Sequence, residues 1–202
     1  MKSPAILPPR LFPPTAYYVL MAARGAVIDT SVRYNKADKG VHRFTIADTR
    51  GTLRLTVPVS RPSGCRLWRQ ATVSDHGRWW ETMPVALESA YGRTPFFEYY
   101  IDRFRPLFSP EPEGIVDVCL RADALVRGIL DLPAPLTADT PDPTGALDCR
   151  TADFEALSMP LPPYWQVRAD TLGFIPGLSV LDLLFNLGPE ACLYIDRAAE
   201  KI

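Results

Sequence analysis

A cluster of polar side chains follows the second apolar segment of the chain, in a position to bind an anionic ligand. It combines carboxylate, guanidinium, phenol, ammonium and imidazole groups: Asp29, Arg33, Tyr34, Lys36, His42 and Arg43. Lys36 and Arg43 could hold a phosphate or carboxylate, Arg43 through two parallel hydrogen bonds, and His42 could transfer a proton near neutral pH. The alternative, which composition alone favours, is a solvated loop with surface charges.

Two aromatic segments offer further binding groups. Trp79 with Tyr91 could stack on a sugar or a base, although core packing is the commoner use of such residues. Tyr164 and Gln166 lie in a proline-flanked loop. There a phenol and an amide could bind the polar groups of a ligand, or simply anchor the turn.

The sequence carries no standard catalytic or metal-binding motif. It has no glycine-rich dinucleotide or phosphate loop, no Gly-x-Ser-x-Gly and no His-Glu-x-x-His pattern. The 4 cysteines form no Cys-x-x-Cys pair, and only His42 and His76 could serve as imidazole ligands. The sequence therefore identifies no cofactor and predicts no metal site, and it leaves less common chemistry open.

Composition and charge predict a globular protein of the cytoplasm. Apolar residues make up 47% of the 202 residues, and 22 basic against 23 acidic residues give a net charge of -1. This balance gives the whole chain no electrostatic reason to bind nucleic acid or anionic lipid. Apolar runs such as Val19–Ala23 are far shorter than the roughly 20 residues of a membrane-spanning helix. The prolines between Pro8 and Pro14 do not fit a secretory signal.

The N-terminal segment predicts a βαβ unit. A first strand at Ala5–Leu7 leads into a proline-stiffened loop. A helix then begins near Pro14 and stops at Gly25, and a second strand covers Ala26–Ile28. Strands joined by such a crossover run parallel, and ligands meet the carboxyl ends of parallel strands. The polar cluster is therefore expected beside a cleft.

The middle of the chain predicts a hairpin followed by helices. Alternating apolar residues from Arg43 to Val57 flank a turn at Asp48–Gly51, and one more short strand is expected at Ala71–Ser74. Helical spacing follows in three segments: Trp80–Tyr91, with Pro84 either starting or kinking the helix; a helix capped by Thr94, with Pro95 in its first turn, running to Phe108; and Ile115–Ile129.

The last part of the chain predicts a loop and a final helix. Leu132–Arg150 shows no period and is rich in proline, which indicates a long loop or linker. Ser179 and Asp182 form a capping-box pattern, and Gly188 with Pro189 is a stop signal. Helix capping therefore accounts for both polar residues.

Several ordered blocks resemble the WbqC-like family, from the N-terminus to the end of the chain. They are Ile6–Pro14 with Tyr17, Tyr34–Lys36 followed by His42-Arg43, Leu55–Val59, Trp79, Ala90–Tyr100, Tyr164–Val167, Phe174–Pro176 and Leu178–Pro189. His42 departs from the family pattern, which has Asn before the Arg, and Gly177 replaces a commoner Asn. The resemblance implies a protein encoded with bacterial surface-polysaccharide genes. One member of the family is considered a glycine transferase that forms an amide on a uronic-acid sugar, and most members have no established reaction.

These observations predict an α/β fold in one domain, residues 1–202: a small mixed sheet with an N-terminal βαβ unit and a β-hairpin, then a helix-rich C-terminal half. The expected function is a cytoplasmic transferase in surface-polysaccharide biosynthesis that forms an amino-acyl amide on a sugar or sugar nucleotide. The alternative is a non-catalytic protein that binds such a metabolite or an assembly partner.

The expected catalytic residues are His42 and Lys36. The expected substrate-binding residues are Arg43, Tyr34, Asp29, Gln166, Tyr164 and Trp79. Arg10 could add a second anion contact, although a solvated side chain is its default. The expected partner is an anionic small molecule rather than nucleic acid or a membrane, and the donor, the acceptor and the oligomeric state stay open.

Overall fold

The computed structural model describes residues 2–202. Its strands are β1 Ala5–Leu7, β2 Ala26–Asp29, β3 Arg43–Asp48, β4 Gly51–Thr56, β5 Val59–Ser60, β6 Thr72–Val73, β7 Leu136–Ala138 and β8 Leu147–Asp148. Its α-helices are α1 Thr15–Arg24, α2 Trp79–Tyr91, α3 Phe97–Phe104, α4 Ile115–Leu130, α5 Phe154–Ser158, α6 Ala169–Leu172, α7 Val180–Leu187 and α8 Glu190–Ala199. The predicted α/β fold with a helix-rich C-terminal half is confirmed.

β1, α1 and β2 form the expected βαβ unit. β1 pairs with β2 in parallel, from Ala5 opposite Ala26 to Leu7 opposite Ile28. α1 begins directly after Pro14, and Gly25 ends it with a φ of 72°, a conformation that favours glycine. Because the first two turns of α1 are buried, the helix packs firmly against the rest of the core.

The segment Leu132–Arg150, predicted as a loop, supplies both edge strands of the main sheet. The strand order is β7-β2-β1-β8, and every pairing is parallel. The loop prediction was wrong because strands of 3 and 2 residues are too short to show an alternating pattern. Their side chains are also largely exposed, Leu136 at 72%. Backbone hydrogen bonds to the central strands hold them in the sheet.

β3 and β4 form the predicted hairpin outside the main sheet, with its turn between Asp48 and Gly51. Phe44 and Ile46 on β3 are buried in the core, as the alternation requires. The strand expected at Ala71–Ser74 is β6, which pairs antiparallel with β5.

α3 differs from its predicted bounds at both ends. It starts at Phe97 rather than at Thr94. Thr94 Oγ1 donates a hydrogen bond to the Tyr91 carbonyl at 2.6 Å, so it closes the end of α2 and is not available as a cap. α3 also ends at Phe104, and a 3-10 turn follows at Arg105–Leu107.

The remaining predicted helices are confirmed. Pro84 lies inside α2 rather than at its start. The helix expected at Ile115–Ile129 is α4, which extends to Leu130. Ser179 caps α7, since its Oγ accepts a hydrogen bond from the Leu181 N–H at 3.2 Å.

No helix within residues 2–202 is long and apolar enough to cross a membrane.

α7 is a central core element that also anchors distant segments. Five of its apolar side chains are 0% exposed: Val180, Leu181, Leu183, Leu184 and Phe185. At its N-terminal end, Ser179 N–H donates to the Thr45 carbonyl and Val180 N–H donates to the Pro13 carbonyl, both at 2.8 Å. α7 therefore ties the hairpin to the loop that follows β1.

Candidate functional site

A cleft of about 1100 Å³ opens at the carboxyl ends of the four parallel strands. Arg10 follows β1, Asp29 ends β2, Asp139 follows β7 and Arg150 follows β8, and each of these residues lines the cleft. Because parallel strands end at one edge of the sheet, the four segments meet there, and this edge is where such sheets bind ligands. The polar face of the β3–β4 hairpin forms another wall.

Asp29 and Arg150 connect the ends of β2 and β8. Asp29 is 2% exposed, and its Oδ1 accepts hydrogen bonds from the N–H and the hydroxyl of Ser31 at 2.8 and 2.7 Å. Its Oδ2 accepts from Arg150 Nη1 at 3.1 Å. Arg150 also donates to both carboxylate oxygens of Asp148, from Nε at 3.0 Å and from Nη2 at 2.7 Å. The hydrogen bonds of Arg150 raise its pKa, with the bond to Asp148 contributing most and the bond to Asp29 contributing next. Arg150 is therefore a permanent cation at the sheet edge.

The hairpin wall presents guanidinium and hydroxyl groups. Arg43 lies opposite Thr56 and Thr45 lies opposite Arg54, so the four side chains share one face of the hairpin. Arg43 Nε donates to Thr56 Oγ1 at 2.9 Å. This contact orients the Arg43 guanidinium through only one of its nitrogen atoms.

Arg10 lies across Gly40 and pairs with Asp38. Its side chain is 10% exposed, and Arg10 Nη1 donates to Asp38 Oδ1. A Cβ at position 40 would lie 2.8 Å from Arg10 Cζ and 2.9 Å from Arg10 Cδ, so only glycine leaves room for this side chain. The Arg10 guanidinium also lies 5.8 Å from the centroid of the Phe154 ring. The default expectation of a solvated Arg10 was therefore wrong.

Basic side chains outnumber acidic ones around the cleft. The basic group is Arg10, Arg33, Lys39, Arg43, Arg54, Arg69 and Arg150, and the acidic group is Asp29, Asp38, Asp139, Asp153 and Glu155. Three of the arginines pair with cleft carboxylates: Arg10 with Asp38, Arg69 with Asp139 and Arg150 with Asp29. Among residues 2–202, no carboxylate lies within 4.0 Å of the other four cations. The cleft therefore favours a negatively charged ligand.

Two cleft residues have a strained backbone. Phe12 has a φ of 42° and Thr140 a φ of 51°, a region that side-chain-bearing residues rarely adopt. Edge-to-face contacts with Phe44 and Phe104, at centroid distances of 5.1 and 5.5 Å, hold Phe12 in place. Thr140 N–H donates to Ser31 Oγ at 2.8 Å. Strain of this kind concentrates at functional sites.

The predicted polar cluster divides between the cleft and its surroundings. Asp29, Arg33 and Arg43 line the cleft. His42 and Tyr34 both pack against Trp68, at centroid distances of 5.6 and 4.6 Å, and neither belongs to the cleft lining. Lys36 is exposed on the loop between β2 and β3 and is also outside the lining.

His42 is held as a neutral imidazole. It is 8% exposed, and its Nδ1 lies 2.9 Å from the Val57 carbonyl, which can only accept, so Nδ1 carries the proton. Burial lowers the pKa of His42. Near pH 7 the lone pair of Nε2 is therefore available to accept a proton.

The predicted binding residues of the aromatic segments have other partners. Trp79 is 4% exposed, and its Nε1 donates to the Ser74 carbonyl at 2.9 Å. The Tyr164 hydroxyl and Gln166 Nε2 both donate to Asp182 Oδ2, at 2.6 and 2.9 Å. None of the three predicted residues lines the cleft.

Asp182 anchors a loop, so the interpretation of its side chain as a helix cap was wrong. Its carboxylate accepts from Tyr164 and Gln166, and burial raises its pKa to about 6. Gln166 in turn binds both the carbonyl and the N–H of Ile175 at 2.9 Å. The capping pattern in the sequence concealed this role, because Ser179 does cap the same helix.

Several cleft residues were not predicted from the sequence. A signal existed for Arg54, since it alternates with the apolar residues Leu53 and Leu55 and pairs across from Thr45. Asp139 and Arg150 had no comparable signal, because they follow strands too short to recognise. Within the described part of the chain, no group of three or more His, Cys, Asp or Glu side chains could hold a metal ion.

Comparison with known proteins identifies the family of this chain. A family model described as the WbqC-like protein family matches residues 8–144. No curated protein and no solved structure gives a significant match. The matched range contains Arg10, Asp29 and Arg43 and ends before Arg150 and the resembling blocks at 164–189. Because that range is well over half of the sequence, the chain belongs to the WbqC-like protein family.

Proposed function

We propose that this protein is a transferase that binds a sugar or sugar nucleotide in the cleft during the assembly of a bacterial surface polysaccharide. The reaction forms an amide between a carboxyl group and an amine, one from that sugar and the other from an amino acid. The carboxyl group arrives activated, for example as an acyl phosphate made from a nucleoside triphosphate. The new C–N bond replaces the bond from the acyl carbon to the activating group, which leaves, and the amine loses one proton. Membership of the WbqC-like family supports the polysaccharide pathway. The cleft supports an anionic small-molecule ligand.

One observation carries the proposal: arginines without carboxylate partners face a large cleft at the ends of parallel strands. Its volume of about 1100 Å³ is sufficient for a nucleotide sugar. Arg33, Arg43 and Arg54 are free to bind phosphate or carboxylate oxygens, and a guanidinium does so with two parallel hydrogen bonds. Two sugar ligands that carry such oxygens are a uronic acid, through its carboxylate, and a nucleoside diphosphate sugar, through its phosphates.

His42 and Lys36 are the proposed catalytic residues. Neutral His42 can accept a proton from an attacking amine. Lys36 lies between Asn35 and Ala37, which both line the cleft, so a small movement of this exposed loop is sufficient to present its ammonium group to a ligand.

A second function, binding of such a metabolite without catalysis, is favoured by the placement of His42. Its ring packs against Trp68 and bonds to the Val57 carbonyl, outside the cleft lining. The arginines proposed to bind an anion therefore line the cleft, whereas the proposed proton acceptor lies outside its lining.

Ligand binding tests the proposal, with two arginines of the same hairpin as a matched pair. A ligand that binds only the folded protein raises its melting temperature. We expect nucleoside diphosphate sugars or uronic acids to stabilise the wild-type protein and the Arg50→Ala variant, since Arg50 lies in the turn outside the cleft. Arg54→Ala should weaken binding about tenfold, the effect of losing one charge-assisted contact. Equal binding by both variants contradicts the assignment of the cleft.

Turnover separates the two functions. A ligand identified by the binding screen is incubated with amino acids, with and without a nucleoside triphosphate to activate the carboxyl group, and amide product is measured by mass spectrometry. If the protein is a transferase, His42→Ala and Lys36→Ala lose turnover and retain most of the binding. If the wild-type protein binds the ligand and no amino acid gives product, the metabolite-binding function is the correct one.

A further inference from the structure

We propose that Arg10 is an anion-binding residue that Asp38 masks in the free protein. An oxyanion of the ligand, phosphate or carboxylate, replaces the Asp38 carboxylate on the Arg10 guanidinium, and the segment 35–40 moves when it does so. This inference rests on the proposed function, because it names the residue that receives the charge of the ligand.

Arg10 has unused hydrogen-bonding capacity inside the cleft. Its side chain lines the cleft and is 10% exposed. Its Nε is fully buried and has no hydrogen-bond partner within residues 2–202. A guanidinium offers five N–H donors in a fixed planar fork, and a buried donor without an acceptor is unfavourable. Asp38 contacts only Nη1, so the edge that Nε shares with Nη2 has no acceptor among the described residues. An oxyanion that enters as Asp38 withdraws can bind this edge and supply the missing acceptor.

The position of Arg10 is fixed before any ligand arrives. The close approach of its guanidinium and Cδ to Gly40 and its contact with the Phe154 ring restrict the side chain to one path. Little rotamer entropy is therefore lost when a ligand binds. Such a fixed guanidinium suits an anchor for one charged group.

Asp38, which masks Arg10, belongs to the segment 35–40, and this segment makes few hydrogen bonds to the core. Its Oδ1 accepts from Arg10 and from the N–H of Gly40, the latter at 3.2 Å. Within the segment, Asp38 N–H donates to the Asn35 carbonyl at 3.1 Å, and at its end the His42 N–H donates to the Lys39 carbonyl at 3.1 Å. Leu11 N–H to the Gly40 carbonyl, at 3.2 Å, connects its end to the loop after β1. Asp38 can therefore leave Arg10 without disturbing buried apolar contacts.

A second arginine–aspartate pair of the same cleft provides the matched control. Arg69 and Asp139 are joined at 2.5 Å, but their side chains are 45% and 58% exposed, so water already competes for that pair. The corresponding exposures of Arg10 and Asp38 are 10% and 19%. Removing either aspartate adds the same charge to the cleft, but only Asp38→Asn releases a buried arginine.

The test compares Asp38→Asn with Asp139→Asn by calorimetric titration with inorganic pyrophosphate and, separately, with glucuronate. We expect Asp38→Asn to lower the Kd of at least one of these anions about tenfold, because the masked state no longer competes. Asp139→Asn should change the same Kd by about twofold or less. The probe that responds tells whether the anchor takes a phosphate or a carboxylate. Equal effects of the two variants, or no tightening in Asp38→Asn, overturn the inference.

A spectroscopic measurement detects the contact directly. The Nε–H signal of Arg10 in protein with ¹⁵N-labelled arginine is assigned by its absence in Arg10→Lys, whose melting temperature verifies that it folds. We expect the responding anion to shift this signal in the wild-type protein, and an unmoved signal at saturation overturns the inference.

The two proposals fail separately. If nucleoside diphosphate sugars bind while the Arg10 signal stays fixed, the proposed function stands and the Arg10 assignment is wrong. If pyrophosphate shifts the Arg10 signal and binds more tightly to Asp38→Asn, while no sugar ligand binds, then Arg10 is the anchor and the proposed substrate class is wrong.

Discussion

The carboxyl group of Asp182 is 1% exposed and accepts hydrogen bonds from Tyr164 and Gln166. Burial outweighs these hydrogen bonds and raises its pKa from 3.8 to about 6. The folded protein therefore holds this proton more tightly than the unfolded chain does. The resulting stabilisation is complete below about pH 4 and is lost as the pH rises to about 6.

We expect Asp182→Asn to remove this dependence. Between pH 4 and pH 7, the free energy of unfolding of the wild-type protein should fall relative to that of the variant by about 3 kcal/mol, from about 1.4 kcal/mol for each unit of pKa shift. Urea denaturation at several pH values measures the difference. Asp196→Asn, on the exposed side of α8, is the control and should run parallel to wild type. A parallel curve for Asp182→Asn would contradict the assignment.

Gly40 is required by the close approach of Arg10 rather than by a positive φ. We expect Gly40→Ala to displace the Arg10 side chain and to lower the free energy of unfolding by about 1–2 kcal/mol, as overpacking does. The same change at Gly128, an exposed position inside α4 with no atom within 4 Å of a new Cβ, should instead stabilise by about 1 kcal/mol. Thermal and urea unfolding of both variants give the comparison. If Gly40→Ala is as stable as wild type, Arg10 has room that the structure denies it.

At the scale of elements, Arg150 joins the ends of β2 and β8. We expect Arg150→Ala to destabilise the protein by about 2 kcal/mol, because it leaves Asp29 buried without its cation. Hydrogen exchange should report faster exchange of the Cys149 N–H, which donates to the Ile6 carbonyl at 2.9 Å. Arg105→Ala, which breaks an exposed pair with Asp102, should change stability by less than about 0.5 kcal/mol. Similar effects of the two substitutions would mean that Arg150 is not a structural tie.

Elements with a long periodic pattern were predictable, and elements held by backbone pairing were not. The hairpin and α4 repeat their apolar residues often enough to reveal both type and position. β7 and β8 have 3 and 2 residues and mostly exposed side chains, so only their neighbours in the sheet define them. The same difference divides the cleft. Asp29 is next to the predicted strand Ala26–Ile28, and Arg43 begins the predicted hairpin. Asp139 and Arg150 follow β7 and β8, which the sequence pattern did not reveal.

At the scale of the whole molecule, the C-terminal residues complete both the core and the cleft. We expect a fragment ending at Thr144 to show no cooperative unfolding transition, since it lacks β8 and the buried apolar side chains contributed by α7. The missing helix also removes the hydrogen bonds from Ser179 and Val180 to the cleft segments at Thr45 and Pro13. Differential scanning calorimetry of the fragment and of the full chain measures this. A cooperative transition in the fragment would show that the family-matched range folds alone, against the predicted single domain of residues 1–202.

β1 precedes the other strands of the sheet along the chain but lies between β2, which follows within one helix, and β8, which begins only at Leu147. Until then, one edge of the apolar tripeptide Ala5-Ile6-Leu7 presents unpaired backbone groups to any extended chain nearby. Pairing across such a sequence separation is slow. A stalled or truncated chain that lacks β8 therefore carries an open, aggregation-prone edge on β1.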